Sequence, residues 1–237
     1  MLDRDELIIR YRVTDRTVPH LRVNFIASLD GAATRKGVSG GLGNPDDKLV
    51  FVTLRMLSDV IVVGAGTVRA EGYGGIRLDA ADAEWRVGQG LPAQLPVAVV
   101  SSRLDLDLTH PLFADAAVRP LVVTHAASPP QRRAELATVA DVLVCGEDAV
   151  DPHRMRAELA RRGLRQMLCE GGPNLFGAMI EADGVDELCL SVSPVLEGGP
   201  AGRISAGAAA VTREMSLLHV LTAGDMLFLR YARRTAS

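Results

Sequence analysis

Glu170, Gly171 and Gly172 are the residues best placed to do chemistry: a carboxylate followed at once by two glycines, then Pro173-Asn174-Leu175-Phe176. Gln166-Met167-Leu168-Cys169 before them reads as a short buried strand. Leu175, Phe176, Met179 and Ile180 after them share one face of a helix. A strand that runs through glycines into a helix start leaves backbone N–H groups unpaired. No β-carbon blocks close approach there, and the helix dipole favours an anion. That is a cradle for a phosphate, most naturally a nucleotide pyrophosphate. A plain strand-to-helix turn would use the same two glycines. Glu170 falls at the strand's carboxyl end, where open α/β sheets place their ligands. Gly64-Ala65-Gly66-Thr67-Val68 repeats the pattern after the apolar run Val60-Ile61-Val62-Val63, with Thr67 offering a hydroxyl near the helix start. A third strand, Pro96 to Val100, ends in Ser101-Ser102-Arg103. The Arg103 fork suits a ribose 2′-phosphate, although an ordinary surface loop has the same composition.

These turns need a sheet to hold them. Leu21 to Ala27 is the first strand, and Ser28-Leu29-Asp30-Gly31 turns out of it. A Gly-rich loop spans Ala32 to Asn44, and unstructured loops of that length are usually functional or disordered. Asn44 and Pro45 open a helix that runs to about Ser58, with Val50, Leu54 and Leu57 on its inner face. Arg77 to Leu95 is a polar excursion carrying the single Trp, Trp85. Further strands are expected at Leu121–Val123, Val142–Val144 and Glu187–Val192. Helices are expected from Ser128-Pro129, with Ser128 as cap, and from Asp151-Pro152. Ser216–Thr222 and Met226–Arg230 read as a hairpin about Ala223-Gly224-Asp225. Strands alternating with helices and closing on a hairpin imply an α/β sheet covered on both faces, with an antiparallel edge. The sequence divides into a polar, irregular arm over 1–20 and one domain over 21–237.

The totals narrow the partners. The chain has 237 residues, 48% apolar and 23% charged, and a net charge of −3. That balance gives no reason to expect nucleic acid or a membrane surface as partner. Met1 to Arg10 are charged and hold no long apolar run, so neither a secretory signal nor a membrane span is expected. Cys145, Cys169 and Cys189 lie in apolar runs with no zinc spacing and read as buried free thiols of a cytoplasmic protein. The five histidines fall in no recognisable motif, and no metal is expected.

Asn24 to Gly31 (NFIASLDG), Ser58 to Val68 (SDVIVVGAGTV), Glu170 to Phe176 (EGGPNLF) and Val185 to Val192 (VDELCLSV) come in this order. Together they resemble the reductase domain of riboflavin biosynthesis, and most the stand-alone actinobacterial branch. The resemblance runs from about Leu21 to the C-terminus. It implies a dihydrofolate-reductase-like three-layer αβα sandwich with a mostly parallel sheet, and usually a homodimer. The implied reaction is NADPH-dependent reduction of 5-amino-6-(5-phosphoribosylamino)uracil to its ribitylamino product. By the same resemblance Ala27 and Asp30 lie near the nicotinamide, and Gly64, Thr67 and Glu71 line the cofactor side. Ser102 and Arg103 meet the 2′-phosphate, while Gly171, Gly172, Asn174 and Leu175 cradle the pyrophosphate. Asn24, Ser39, Arg55 and Arg77 take the phosphorylated substrate. Glu170 and Asp30 are the candidate catalytic groups, with the proton donor left open between Glu170 and water. The zinc deaminase of the fused enzymes, with its HxE and PCxxC signature, has no counterpart here. After Glu71 the run Gly72 to Arg77 departs from the common reductase pattern, which leaves the register of Arg77 open by a residue. Dihydrofolate reduction or another NADPH-dependent reduction on the same fold is the alternative. A non-catalytic NADP-binding module is the third reading.

Overall fold

The alternation inside single strands already dictates two apolar layers. Val60 and Val62 point to one side of their strand and Ile61 and Val63 to the other, and all four are fully buried. A strand buried on both faces must carry helices on both faces. The computed structural model describes residues 1–234 and shows that arrangement. The last residues of the expected domain, 235–237, lie outside the described residues.

The strands are β1 (His20–Ser28), β2 (Val60–Gly64), β3 (Val97–Val100), β4 (Leu121–Thr124), β5 (Asp141–Val144), β6 (Gln166–Cys169), β7 (Glu187–Ser193), β8 (Met215–Ala223) and β9 (Met226–Arg233). They form one sheet in the order β5-β4-β3-β2-β6-β1-β7-β9-β8. Every pairing from β5 to β7 is parallel, and β9 and β8 add on antiparallel. β6 is inserted between β1 and β2, late in the chain, so the carboxyl ends of these three strands meet at one crevice.

The helices are α1 (Arg4–Tyr11), α2 (Pro45–Met56), α3 (Ala65–Ala70), α4 (Ala80–Gly88), α5 (Pro111–Ala114), α6 (Pro130–Leu136), α7 (Pro152–Arg161) and α8 (Pro173–Glu181). One face of the sheet is covered by α7 and α8 through Met155, Leu159, Phe176 and Met179. On the other face, α3, α5 and α6 bury Val68, Leu112, Phe113 and Leu136 against Ile61, Val63, Val99 and Val122. α1 and α2 complete that face beside β7 and β9. The expected αβα sandwich with an antiparallel hairpin is the observed fold.

Three local expectations are corrected. The stretch over 1–20 is not an irregular arm. Asp3 caps α1 by accepting from the Glu6 N–H, and Leu7 and Tyr11 are buried with Val50 and Leu54 of α2. Its eight residues of mixed charge hide only two core positions, too few to announce a helix by periodicity. The polar excursion after Arg77 contains α4, whose buried Arg86 donates to the carbonyls of Met56 (2.7 Å), Ser58 (2.6 Å) and Pro92 (2.7 Å). An arginine that closes other segments' backbone carbonyls reads as polar in sequence and behaves as core. Ser128 does not cap α6. Its hydroxyl donates to the His125 carbonyl at 2.7 Å, and the helix starts one residue later, at Pro130.

Candidate active site

The two glycine turns are in direct contact. The Gly64 N–H donates to the Gly171 carbonyl at 2.9 Å, joining the end of β2 to the end of β6. Gly171 has φ +119°, a conformation that a residue with a β-carbon avoids. A β-carbon on Gly172 would stand 3.0 Å from Thr67 Oγ1. The glycines therefore let α3 and α8 start side by side with Thr67 wedged between them. Gly172 caps α8 through its backbone alone, so the first N–H groups of this nine-residue helix have no side-chain partner. α3 is only six residues long, so the dipole that favours an anion here belongs mainly to α8.

Two cavities open on this junction. The first, of about 660 Å³, is lined by Gly64, Thr67, Glu71, Ser102, Arg103, Gly172, Asn174 and Leu175, all expected on the cofactor side. Val150, Pro152 and Met155 of the α7 start close its far wall, and no sequence motif pointed to them. The second cavity, of about 720 Å³, is lined by Asn24, Ser39, Arg55, Arg77, Glu170 and Gly171. The cavities share Thr34, Thr67, Glu71, Gly172 and Pro173, so they are halves of one cleft. A nicotinamide dinucleotide fits the first half. The open glycine shelf lies against the start of α8, where unpaired backbone N–H groups suit an anion, and Ser102 with the Arg103 fork stands at the end of β3.

Glu170 sits on the dividing wall of the cleft. Its carboxylate accepts Arg55 Nε at 2.6 Å and Nη2 at 2.7 Å, a bidentate pair, and the Tyr73 hydroxyl donates to Oε2 at 2.5 Å. Burial works against the Arg55 charge, but Glu170 overrides it and holds the guanidinium pKa above its ordinary value. The Arg55 plane also lies 4.2 Å from the Phe51 ring centroid. Burial, and then the charge of Glu170, push the Tyr73 hydroxyl well above the usual tyrosine range, so it remains a donor. Tyr73 and Phe51 were not singled out in the sequence. Tyr73 had a signal in hindsight, a lone aromatic in the glycine-rich run after Glu71. Ser39 is placed by its backbone, which donates to Glu71 Oε1 at 2.9 Å and ties the long loop to the cleft. Asn24 Oδ1 is a buried acceptor with no donor among the described residues. An unpaired buried carbonyl beside a cavity is suited to a ligand N–H or O–H.

Two expected residues are not brought to the cleft. Ala27 is buried in β1 and lines neither cavity. Asp30 is exposed and lines neither; it accepts from the Ser28 hydroxyl and from the N–H groups of Glu197 (3.1 Å) and Gly198 (2.7 Å). These hydrogen bonds, that of Ser28 first, lower its pKa to about 2. Asp30 thus pins the loop after β7. Among the described residues no group of three or more His, Cys, Asp or Glu is arranged to hold a metal.

Known proteins are similar to this chain. The chain is 34% identical over 187 residues to the 2,5-diamino-6-ribosylamino-4(3H)-pyrimidinone 5′-phosphate reductase of Archaeoglobus fulgidus, covering 76% of this chain and 83% of that one. It is 26% identical over 184 residues to the riboflavin biosynthesis protein RibD of Mycobacterium tuberculosis, covering 77% of this chain and 44% of that one. Among solved structures, a pyrimidine reductase-like protein from Corynebacterium diphtheriae superposes with a TM-score of 0.87 at 26% identity, covering 99% of this chain and 100% of that one. The sequence profile of the RibD C-terminal domain matches residues 19–229, from the start of β1 into β9, and the chain belongs to that family.

Proposed function

We propose that this protein is an NADPH-dependent reductase of riboflavin biosynthesis that converts the ribosylamino side chain of a pyrimidine 5′-phosphate to a ribitylamino chain. The observation that carries the reading is the divided cleft. A glycine-lined half fit for a dinucleotide meets a half walled by a carboxylate–arginine–tyrosine network, and Glu170-Gly171-Gly172 forms the border. The reduced nicotinamide, when bound, supplies a hydride, which no side chain can. The chain's own part is to align and to select. Gly171, Gly172, Asn174 and Leu175 hold the pyrophosphate, and Ser102 and Arg103 hold the 2′-phosphate that separates NADPH from NADH. Glu170, fixed by Arg55 and Tyr73, accepts hydrogen bonds from the pyrimidine or the sugar. Asn24 offers its unpaired carbonyl beside it, and Ser39 and Arg77 close over the phosphate end. Arg55 spends one edge on Glu170, so its free Nη1 is what remains for the substrate phosphate.

Initial rates of NADPH oxidation with 5-amino-6-(5-phosphoribosylamino)uracil test the reading. Turnover with dihydrofolate alone would replace it with the alternative. The relatives from Archaeoglobus fulgidus and Methanothermobacter thermautotrophicus, 34% and 31% identical, are named for the 2,5-diamino pyrimidinone. That substrate, which keeps the 2-amino group, belongs in the same assay. Arg103→Ala should raise the KM for NADPH about 10–100-fold, the loss of one or two charge-assisted hydrogen bonds, and leave that for NADH nearly unchanged. Equal effects on both would remove the 2′-phosphate role.

We further propose a homodimer. The edge strand β8 leaves Leu217, Leu218 and Val220 exposed on a long strand with no lysine or proline to guard it. Light scattering at micromolar concentration checks this. A reducing cytoplasm suits the three thiols, which are free and buried. Burial pushes those of Cys145 and Cys169 up to about 11 and 12. No described helix is long and apolar enough to cross a membrane.

A further inference from the structure

The reduction consumes a proton as well as a hydride, and the substrate half of the cleft holds few groups that could give one. Its charged and titratable side chains, besides Asp47, are Lys48, Arg55, Glu71, Tyr73, Arg77 and Glu170. Both oxygens of Glu170 already accept hydrogen bonds from Arg55, with Tyr73 on Oε2. The Tyr73 proton is committed to Glu170. Glu71 accepts the Ser39 N–H. Asp47 differs. It lies within no ion-pair distance of a cation among the described residues and is only half-buried, so solvent reaches it.

Its placement is fixed from two sides, and a third group lies near it. The Asp47 N–H donates to the cap residue Asn44 at 2.9 Å, which sets the carboxyl on the first turn of α2 facing the cavity. A β-carbon on Gly43 would stand 2.7 Å from Asp47 Oδ2, so a side chain there would displace the carboxyl. From the sheet, the buried Ser191 of β7 lies near enough to lower the Asp47 pKa. Ser191 lies opposite Ile26 of β1, two residues beyond Asn24 with its unpaired carbonyl.

We propose that Asp47 is the general acid of the reaction, giving its proton to the ribose ring oxygen as the sugar opens. The step rests on the reading of the second cavity as the substrate half. In it the bond from C1′ to the ring oxygen breaks, and its electron pair goes to that oxygen, which takes the Asp47 proton. The nitrogen lone pair forms the C1′=N bond, giving an iminium. C1′ then accepts the hydride, the C=N electrons return to nitrogen, and the product is the neutral ribitylamine. Asp47 regains a proton from solvent. Burial raises the Asp47 pKa above its ordinary value, and the nearby Ser191 opposes this without cancelling it. An acid at a helix N-terminus would otherwise be shifted the opposite way.

Asp47→Asn should lower kcat about 10²–10⁴-fold, the usual worth of a positioned acid, with the Kd for the pyrimidine phosphate changed less than about threefold. Asp47→Glu keeps an acid and should recover part of kcat. In the wild type, kcat should fall as pH rises through the Asp47 pKa, and this limb should be missing from Asp47→Asn. A readout independent of turnover is carboxyl-carbon NMR of the ligand-free protein, where the signal lost in Asp47→Asn should titrate above the ordinary aspartate range. Asp46, whose Oδ1 accepts the Leu2 N–H away from the cavity, is the control. Asp46→Asn removes the same helix-terminal charge and should keep kcat. The proposal is overturned if Asp47→Asn retains kcat, if Asn and Glu variants turn over equally, or if the Asp47 signal titrates as an ordinary aspartate. The cavity reading fails separately, if Arg55→Ala and Asn24→Ala both leave the substrate Kd unchanged.

Discussion

Two buried glutamates clasped by arginine stand at opposite ends of the sheet, and they do different things. Glu187 opens β7 at its amino end. It accepts Arg22 Nε in a very short contact and Arg230 Nη2 at 2.7 Å, with His20 3.4 Å away and the Cys189 thiol on Oε1. Glu170 follows β6 at its carboxyl end; its carboxylate is covered by one arginine and one tyrosine, and all three residues line the second cavity. Burial alone would raise the Glu187 pKa. Arg22, then His20 and Arg230, overcome it and hold the carboxyl well below the usual range. Every lone pair there is spent on the protein. At Glu170 the network stops at the wall of the cleft. The residue types are nearly the same, and the strand end decides which one is scaffold. Parallel strands converge on helix N-termini and loops at their carboxyl ends, and on ordinary turns at the other.

The contrast breaks most sharply on stability. Glu187→Ala leaves Arg22, 4% exposed, without its counter-charge and should cost about 3–5 kcal/mol. Thermal unfolding should show a drop on the order of 10 °C for a chain of this size. If Tm stays within a degree or two, Glu187 is not the scaffold described. The pH dependence sharpens the same point. The folded pKa of Glu187 lies below its unfolded value, so its stabilisation is complete above the unfolded carboxyl range and is lost as pH falls through the folded value. The stability gap between wild type and Glu187→Gln should therefore narrow on acidification below about pH 4.

Glu170→Gln should do the reverse. Arg55, with 19% of its side chain exposed, keeps an amide acceptor, so unfolding should shift little. Loss of a charged acceptor for the substrate should lower kcat/KM about 10–100-fold. A variant that melts early but turns over normally would place Glu170 with Glu187, as scaffold. The smallest effect is expected from Tyr73→Phe, which removes one hydrogen bond to Glu170. A rise of about fivefold in KM for the pyrimidine substrate, with the NADPH KM unchanged, would match about 1 kcal/mol. No change would show that Arg55 alone orients the carboxylate.

Much of the first cavity's lining was legible from short-range pattern. Gly64, Thr67 and Arg103 follow valine-rich strands, Gly171 and Gly172 follow a short buried strand, and a strand-to-helix turn needs only a few neighbours to declare itself. The substrate half was less legible. Tyr73 and Glu170 are 97 residues apart, and Arg55 and Glu170 are 115 apart. Asp30 showed the opposite failure. The family resemblance put it near the nicotinamide, yet it ties down the loop over 197–198. α1 and α4 were missed because their buried faces include Tyr11 and Arg86, side chains whose burial depends on distant partners rather than on period.

By itself the sequence determined the elements whose cause is local: short apolar runs for the parallel strands, glycine at the two phosphate-competent turns, and Asn44 and Asp151 as helix caps. Only the tertiary structure decided that β6 is inserted between β1 and β2, so that both turns touch and Glu170 meets Arg55. The physical reason is range. Backbone preference acts over a few residues. Which strand neighbours which, and which carboxylate faces a cavity rather than a second arginine, depends on burying both faces of one sheet at once.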